Sequence, residues 1–242
     1  MTARLRATSV AKQVANRFNV ELSRLDLTHA ARRQAAMRSA GIDLLLDVGA
    51  NRGQYVSWIR RAGYGGRIVS FEPIPSVMAD MRSRLSADPS WSGMELALGA
   101  AAGTVDFHVT ADTVTSSTLL PGVHLTGQIP GASVVETISV EVTRLEDVWA
   151  QVVPAGSRTM LKVDVQGAEH AVLDGLADRI IEVALVDIEM ALVPLYIGGS
   201  TIYDLLPRLH EAGFDVVSID SGFVDTSSGQ VLDVDLLLRR RT

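Results

Sequence analysis

The sequence predicts an α/β protein with a mostly parallel sheet that is covered by helices on both faces. Apolar runs of strand length, such as IDLLLDVG and TMLKVDVQG, alternate after Gly41 with segments that have helical spacing. Strands buried on both faces consist of such continuous apolar runs, and helices connect parallel strands. The alternation therefore favours a single α/β domain over residues 41–242.

The predicted elements follow one another along the chain. Residues 1–40 contain no Pro or Gly, and Val10, Val14 and Phe18 share one helical face, which predicts an N-terminal helical extension. Residues 111–137 are rich in Ser, Thr, Gly and Pro, and we interpret them as a long loop that covers a binding site. The predicted strands are IDLLLDVG, RIVSFEP, MELALGA, TVDFHVT, TMLKVDVQG, IEVALVDIEM, FDVVSID and VDLLLRR. The predicted helices are SWIRRAG, PSVMADMRSRL, AEHAVLDGL and TIYDLLPRLHEAG.

Composition excludes several classes of protein. The 242 residues carry a net charge of -6, which does not suit a nucleic-acid partner. The absence of cysteine excludes disulfides and thiolate chemistry. No apolar run approaches the about 18 residues of a membrane span, and the N-terminus lacks the apolar core of a signal peptide. We therefore expect a cytoplasmic protein.

A glycine-containing turn, DVGANRGQ over residues 47–54, follows the first strand and precedes a helix. Glycines there let the backbone approach a ligand, and the helix N-terminus favours a negatively charged group. The carboxylate of Asp47, the first residue of the turn, either binds the ligand's amino group, directly or through water, or only accepts hydrogen bonds from the amides of the turn. The candidate ligand-binding residues of the turn are Asp47, Gly49, Asn51, Gly53 and Gln54.

Glu72 ends the second strand, 19 residues after Gly53 (72 − 53), where an acidic residue accepts hydrogen bonds from a ribose. The turn has the spacing G-x-x-x-G, without the third glycine of the dinucleotide-binding G-x-G-x-x-G. A ligand that contains adenosine but no pyrophosphate, such as S-adenosylmethionine, therefore fits better than a dinucleotide.

Several segments resemble the FkbM-type methyltransferases. They are DVGANRGQ, SFEP, LALGAAAG, TSSTL, VTRLEDV, LKVDVQGAEHAVLDGL, DIEM and TIYDLLPRLHEAGFDV, which occur in family order over about residues 42–220. The resemblance implies a class I methyltransferase fold, a Rossmann-like sheet of about seven strands of which the last, VDLLLRR, is antiparallel. It also implies S-adenosylmethionine as cofactor, with Pro73, Ala97 and Leu98 in the cofactor site.

The resemblance further implies O-methylation of a hydroxyl on a sugar or glycosylated metabolite, such as a glycolipid or natural product. The acceptor is then a small molecule or glycolipid, and residues 111–137 form a lid that shapes acceptor specificity. The family commonly has a glutamate at the position of Gln166, which puts any mechanism that needs a carboxylate there in doubt.

The polar residues at the ends of the middle strands are the candidates for the chemistry. Lys162 and Asp164 alternate along one strand, so they share a face of the sheet. Asp164 is nearer the strand end and is the first candidate for acceptor contact or proton removal, with Lys162 lowering its pKa or orienting it. Glu189, two residues after Asp187 on the next strand, is the second acidic candidate. The alternative for Lys162 and Asp164 is a structural ion pair.

Further polar residues are weaker candidates. His170 at a helix start is a candidate base, and His124 could join the site if residues 111–137 close over it. Ser116, Ser117 and Gln166 are candidates for binding acceptor hydroxyls. Each candidate has an alternative. His170 could face solvent or the sheet, His124 could be an exposed loop residue, and Ser116 and Ser117 could serve only to form the turn.

Alternatives remain open at this point. Asp164 and Glu189 could hold a divalent cation, but no cluster has ligand spacing, so we do not favour a metal. The protein could instead be a nicotinamide-dependent oxidoreductase, or a non-catalytic nucleotide-binding module on the same fold. The N-terminal helices either cap the acceptor site or form the interface of a homodimer.

Overall fold

A computed structural model describes residues 28–241, so the predicted helical face of Val10, Val14 and Phe18 lies outside the described residues. The strands are β1 Leu44–Val48, β2 Arg67–Phe71, β3 Trp91–Met94, β4 Ala97–Leu98, β5 Gly103–Thr110, β6 Val134–Thr143, β7 Thr159–Val163, β8 Val183–Ala191, β9 Phe214–Ser221, β10 Val224–Asp225, β11 Gln230–Val231 and β12 Asp233–Arg240. The α-helices are α1 His29–Ala40, α2 Gln54–Arg61, α3 Pro75–Arg84, α4 Val123–Gln128, α5 Leu145–Val152, α6 Glu169–Leu176 and α7 Ile202–Glu211. Short 3₁₀ helices lie at Pro130–Ala132 and Ala177–Glu182.

The main sheet has seven strands in the order β3-β2-β1-β7-β8-β12-β9. Strands β3, β2, β1, β7 and β8 pair in parallel, whereas β12 pairs antiparallel with both β8 and β9. The predicted seven-stranded sheet with an antiparallel last strand, the class I methyltransferase fold, is confirmed. The strand order reverses between β1 and β7, which is where open α/β sheets bind their ligands.

A second sheet corrects two predictions. MELALGA is not one strand, because β3 ends at Met94 and β4 leaves the main sheet to pair with β6. Strand β6 also pairs antiparallel with β5, which gives a three-stranded sheet of order β4-β6-β5. The predicted loop over 111–137 is shorter than expected, since it contains α4 and a 3₁₀ helix and its last residues, 134–137, belong to β6.

Alternate residues of the buried strands pack on opposite faces of the main sheet. Leu44 and Leu46 of β1 belong to a large apolar cluster with side chains of α5, α6 and α7. Leu45 belongs to a second cluster on the other face, with side chains of α1 and α2. Asp47 is two residues after Leu45 and therefore also faces α1 and α2.

Polar residues form two rows across this second face. In the deeper row, Asp47 is in register with Ser70 on β2 and Lys162 on β7, and Lys162 is in register with Asp187 on β8. The second row lies one pleat nearer the carboxyl ends of the parallel strands. It consists of Asp164, just after β7, and of Glu189 on β8, which is in register with Asp235 on β12. The second row is at the sheet edge where a ligand binds.

Helix α1 is the described part of the N-terminal extension, and it packs on β8 and β9. It begins at Thr28, whose side chain accepts a hydrogen bond from the amide of Ala31, and it ends at Gly41 in the left-handed conformation. Within residues 28–241, no helix is both long enough and apolar enough to cross a membrane.

Candidate active site

A cavity of about 470 Å³ lies at the carboxyl ends of β1, β2, β7 and β8. Its volume is within the range of about 300–1,000 Å³ that is usual for small-molecule sites. One part of its wall is the glycine turn, and another is the edge that carries Asp164 and Glu189. Helix α1 and the segment before α4 complete the wall through Arg33, Thr113, Ser116 and Thr118.

Both glycines of the turn have left-handed backbone, and the side of each that lacks a side chain faces other protein atoms. Gly49 has φ 76°, and a Cβ atom on it would lie 1.8 Å from the carbonyl oxygen of Asp164. Gly53 has φ 72° and precedes α2 as its N-cap. Asn51 is also left-handed, and its side-chain Nδ2 donates to the carbonyl of Thr113 at 3.0 Å. The turn is therefore fastened both to the segment after β7 and to the segment after β5.

Glu72 is a buried carboxylate in the cavity wall, 4% exposed. It accepts hydrogen bonds from the amides of Asn51 and Ile74, both at 2.9 Å. Burial raises the pKa of Glu72 to about 7, although these two bonds oppose the shift. Since each carboxylate oxygen has two lone pairs, Glu72 can still accept hydrogen bonds from a ligand's hydroxyls.

Asp47 lies beneath the cavity rather than in its wall. Its side chain is fully buried, accepts a hydrogen bond from Ser70 at 3.0 Å and pairs with Lys162 at 3.4 Å. Burial raises the pKa of Asp47, although the Lys162 ammonium opposes the shift. The structure does not support direct contact between Asp47 and a ligand, because Asp47 belongs to the deeper polar row.

Lys162 joins the two polar rows to the glycine turn. Its Nζ lies 2.9 Å from the carbonyl oxygen of Gly49, 3.4 Å from Asp47 and 3.3 Å from Asp164. Burial alone would lower the pKa of Lys162, but Asp164 and Asp47 raise it, so the ammonium stays charged. The expected ion pair with Asp164 is present, and the same ammonium also braces the turn.

Asp164 and Glu189 are a coupled pair of acids at the edge of the cavity. Burial would raise the pKa of Asp164, but the Lys162 ammonium and hydrogen bonds from Glu189 and Gln166 hold it below its usual value. Burial and the Asp164 carboxylate raise the pKa of Glu189 well above its usual value. The two acids therefore titrate together, with the pKa of Asp164 lowered and the pKa of Glu189 raised. The Asp164 side chain is 37% exposed and is within reach of a ligand.

The comparisons with known proteins agree with this geometry. Residues 47–216 match the family model described as the methyltransferase FkbM domain. This protein belongs to the FkbM methyltransferase family.

One curated relative is the methyltransferase sdnD of Sordaria araneosa, which is 30% identical over 160 residues. The match covers 56% of this chain and 61% of that protein, so this chain spans about three-fifths of the relative's length.

Solved structures with a similar fold include Aeropyrum pernix fibrillarin with bound S-adenosyl-L-methionine. It is 12% identical, with a TM-score of 0.48 and coverage of 85% of this chain and 74% of that chain. Precorrin-6y C5,15-methyltransferase from Geobacter metallireducens is 11% identical, with a TM-score of 0.46 and coverage of 91% and 92%.

Membership in a methyltransferase family favours methyl transfer over the oxidoreductase alternative. Most of the residues that the sequence predicts for the cofactor site line the cavity, whereas Asp47 and Gly53 do not. The predicted residues in the wall are Gly49, Asn51, Gln54, Glu72, Pro73, Ala97 and Leu98.

Several candidates for the FkbM-family acceptor site are not in the cavity wall. His124 is exposed on α4, and His170 sits at the start of α6, where its Nδ1 is buried without a hydrogen-bond partner. Ser117 donates instead to the carbonyl of Val165 at 3.3 Å. Ser116 does line the cavity, but its Oγ already accepts from the amide of Thr110 at 3.0 Å.

The wall also contains residues that the sequence did not single out. The Arg33 guanidinium pairs with Asp187 and lies 4.8 Å from the ring centre of Trp58. The Tyr55 hydroxyl donates to the same carboxylate, to Asp187 Oδ2, at 2.7 Å. Asp235 lines the cavity beside this group, and burial raises its pKa to about 6. Helix α1 thus contributes Arg33 to the cavity wall.

Within the described range 28–241, no group of three or more His, Asp or Glu side chains is arranged to hold a metal ion. Asp164 and Glu189, the two acids considered above as cation ligands, both line the cavity. The residue between these two acids is Gln166, whose side-chain amide donates to both. Both amide hydrogens are therefore engaged, and the expected donation from Gln166 to an acceptor hydroxyl has no free hydrogen to use.

Proposed function

We propose that this protein is an S-adenosylmethionine-dependent O-methyltransferase that acts on a hydroxyl of a sugar or glycosylated metabolite. The observation that carries the proposal is that one cavity brings together the glycine turn, Glu72 and an ionised Asp164. A donor site and a proton acceptor in one cavity are what methyl transfer to a hydroxyl requires.

The donor end of the cavity fits S-adenosylmethionine. Gly49 and Asn51 line the cavity, and Glu72 has lone pairs free for two ribose hydroxyls. Pro73, Ala97 and Leu98 supply an apolar wall for the adenine. When bound, the cofactor supplies an electrophilic methyl group on a sulfonium, whose leaving group is a neutral thioether.

Asp164 takes the proton of the acceptor hydroxyl in the proposed mechanism. Lys162 and Gln166 hold its carboxylate in place, at 3.3 Å and 2.8 Å. The O–H bond of the acceptor would break, the proton would move to a carboxylate oxygen of Asp164, and the freed electron pair would form the new C–O bond as the methyl–sulfur bond breaks and its electron pair stays on sulfur. Proton transfer of this kind contributes about 10²–10⁴-fold to the rate. Alignment of the acceptor oxygen with the methyl carbon lowers the activation barrier further, by about several kcal/mol.

The acceptor end of the cavity favours a molecule with several hydroxyls. Asp164, Glu189 and Asp235 stand on neighbouring strands, and such strands are about 4.8 Å apart. Their oxygens thus form a line of hydrogen-bonding groups that several hydroxyls of one ring can use together. Trp58 and Tyr55 add aromatic surface to the same wall, against which the apolar face of a sugar ring packs.

The first experiment is calorimetric titration with S-adenosylhomocysteine, with and without magnesium. It is followed by transfer of a labelled methyl group to panels of glycosides, amines and thiols. We expect micromolar binding and label in an ether product of a glycoside. Label on an amine or thiol would overturn the O-methylation proposal. Binding without transfer to any panel member would favour a non-catalytic binding module.

A further inference from the structure

Gln166 lies between the two acids of the candidate active site. Its Nε2 is 2.8 Å from Asp164 Oδ1 and 2.8 Å from Glu189 Oε2. Its Oε1 accepts a hydrogen bond of 2.7 Å from Tyr196, whose hydroxyl also lies 3.0 Å from the carbonyl of Thr115. The partners fix the orientation of the amide, because the reverse orientation would place Oε1 against the Asp164 carboxylate.

The backbone around Gln166 holds this side chain in place. Gln166 has φ 59°, a left-handed conformation that costs a non-glycine residue about 1–2 kcal/mol. Glu169 supports the loop by accepting hydrogen bonds from the amides of Val165 and Gly167, both at 3.1 Å. Gly167 lies so close to Tyr196 that a Cβ atom would be 2.7 Å from its ring. The loop and Tyr196 together leave little freedom to the Gln166 side chain, which is 7% exposed.

The position of Nε2 is one that a divalent cation could occupy. Two carboxyl groups that converge on one point either share a proton or bind a cation with their oxygens. Here the amide nitrogen of Gln166 lies at that point and donates to one oxygen of each acid. The side-chain oxygen of Gln166, which could coordinate a cation, is turned toward Tyr196.

We propose that Gln166 is a positioning residue that takes the place of a divalent cation between Asp164 and Glu189. Methyl transfer by this protein then needs no metal, and a carboxylate at position 166 would create a divalent-cation site. The inference rests on the proposed function, because it concerns the same two acids. Its test therefore measures donor binding separately.

The test compares Gln166→Glu with Gln54→Glu, using Mn²⁺ as the probe. Gln54 is an exposed residue in the wall of the same cavity, so the control variant adds the same charge without placing it between the acids. We expect wild type and Gln54→Glu to bind Mn²⁺ no tighter than about millimolar, and Gln166→Glu to bind it at least about 30-fold tighter, as added carboxylate ligands do. Asp164→Asn in the Gln166→Glu background should remove the gain.

Two results would overturn the inference. The first is a folded Gln166→Glu protein that binds S-adenosylhomocysteine but binds Mn²⁺ no better than Gln54→Glu does. The second needs no variant: wild type that loses turnover after dialysis against EDTA and regains it with Mn²⁺ or Mg²⁺. If the folded wild-type protein does not bind S-adenosylhomocysteine at all, that result would instead contradict the proposed function.

Gln166→Met tests the positioning role through the pH profile. Without the amide bridge, the shared titration of Asp164 and Glu189 changes, and the acidic limb of the kcat/KM profile should move by at least about one pH unit. An unchanged profile with a merely lower plateau would indicate a structural role only and would overturn the positioning role.

Discussion

Gly49 and Asp164 touch backbone to backbone at the centre of the cavity. A Cβ atom on Gly49 would lie 1.8 Å from the carbonyl oxygen of Asp164, and the amide of Asp164 donates to the carbonyl of Val48 at 3.1 Å. No side chain fits between the two segments. The turn that would hold the methyl donor and the residue that would take the acceptor proton are therefore fixed relative to each other by the main chain.

Gly49→Ala should disrupt this contact far more than a matched glycine substitution does. Gly198 has the same φ, 76°, but has open space around its Cβ position. Gly198→Ala should therefore cost only the left-handed strain of about 1–2 kcal/mol. Gly49→Ala adds a clash with backbone, so we expect its free energy of unfolding to fall by at least about 2 kcal/mol more. Chemical denaturation measures both, and equal losses would contradict the contact.

Glu72 should make donor binding depend on pH. A carboxylate accepts hydrogen bonds from ribose hydroxyls better when ionised, and the pKa of Glu72 is about 7 in the free protein. The affinity for S-adenosylhomocysteine should rise between pH 6 and pH 8, by up to about tenfold. Glu72→Gln should bind about 10–100-fold more weakly at pH 8 and lose this pH dependence. Glu211→Gln, an exposed change on α7, is the control and should behave as wild type.

Asp164→Asn should slow turnover and spare donor binding. Its amide cannot accept a proton from the acceptor, so we expect kcat to fall by about 10²–10⁴-fold. The Kd of S-adenosylhomocysteine should change by less than about threefold, since the donor contacts lie on the turn and Glu72. Asp220→Asn, in register with Asp235 but exposed on β9, is the control. Full activity of the Asp164 variant would refute its role as base.

Local sequence signals predicted the parts of the site that follow directly from a strand. The turn at Gly49, Glu72 after β2 and the acids Asp164 and Glu189 all stand where a buried strand ends, and strand ends meet at one edge of a parallel sheet. Asp47 differs from these residues, because it is fully buried and does not line the cavity. It precedes the strand end by one residue and is covered by the turn that follows it.

Residues whose place depends on distant packing could not be predicted in this way. Asp235 reaches the cavity because β12 runs antiparallel between β8 and β9, which sets its register with Glu189. Arg33 reaches it because α1 packs across β8 and β9. His170 does not line the cavity, and the reason is similar. The loop ahead of α6 directs the Glu169 carboxylate toward the amides of that loop, and His170, which follows Glu169, lies outside the cavity wall.

The buried pair of Arg33 and Asp187 should show strong coupling. Arg33→Met leaves the Asp187 carboxylate with Tyr55 and His29 but without its guanidinium, which should cost about 3–5 kcal/mol of unfolding free energy. Asp187→Leu alone should cost a similar amount. The double variant should recover most of the loss, because both charges are gone. Additive losses in denaturant titrations would contradict a coupled pair.

Glu169 should make the stability of the protein depend on pH. Burial raises its pKa from an ordinary 4.5 to about 7, so the folded protein retains a proton that the unfolded chain has released. The contribution is complete below pH 4.5 and is lost as the pH rises to 7, a change on the order of 3 kcal/mol. Glu169→Gln retains the oxygen that accepts from the amides of Val165 and Gly167 but does not titrate.

We therefore expect Glu169→Gln to match wild type near pH 5 and to be more stable than wild type at pH 8. Glu169→Ala leaves the two loop amides without a partner and should be less stable than Glu169→Gln at both pH values, by about 1–3 kcal/mol. Denaturant titrations of the three proteins at pH 5 and pH 8 separate the effects. A difference between Glu169→Gln and wild type that is the same at both pH values would show that Glu169 does not titrate between them.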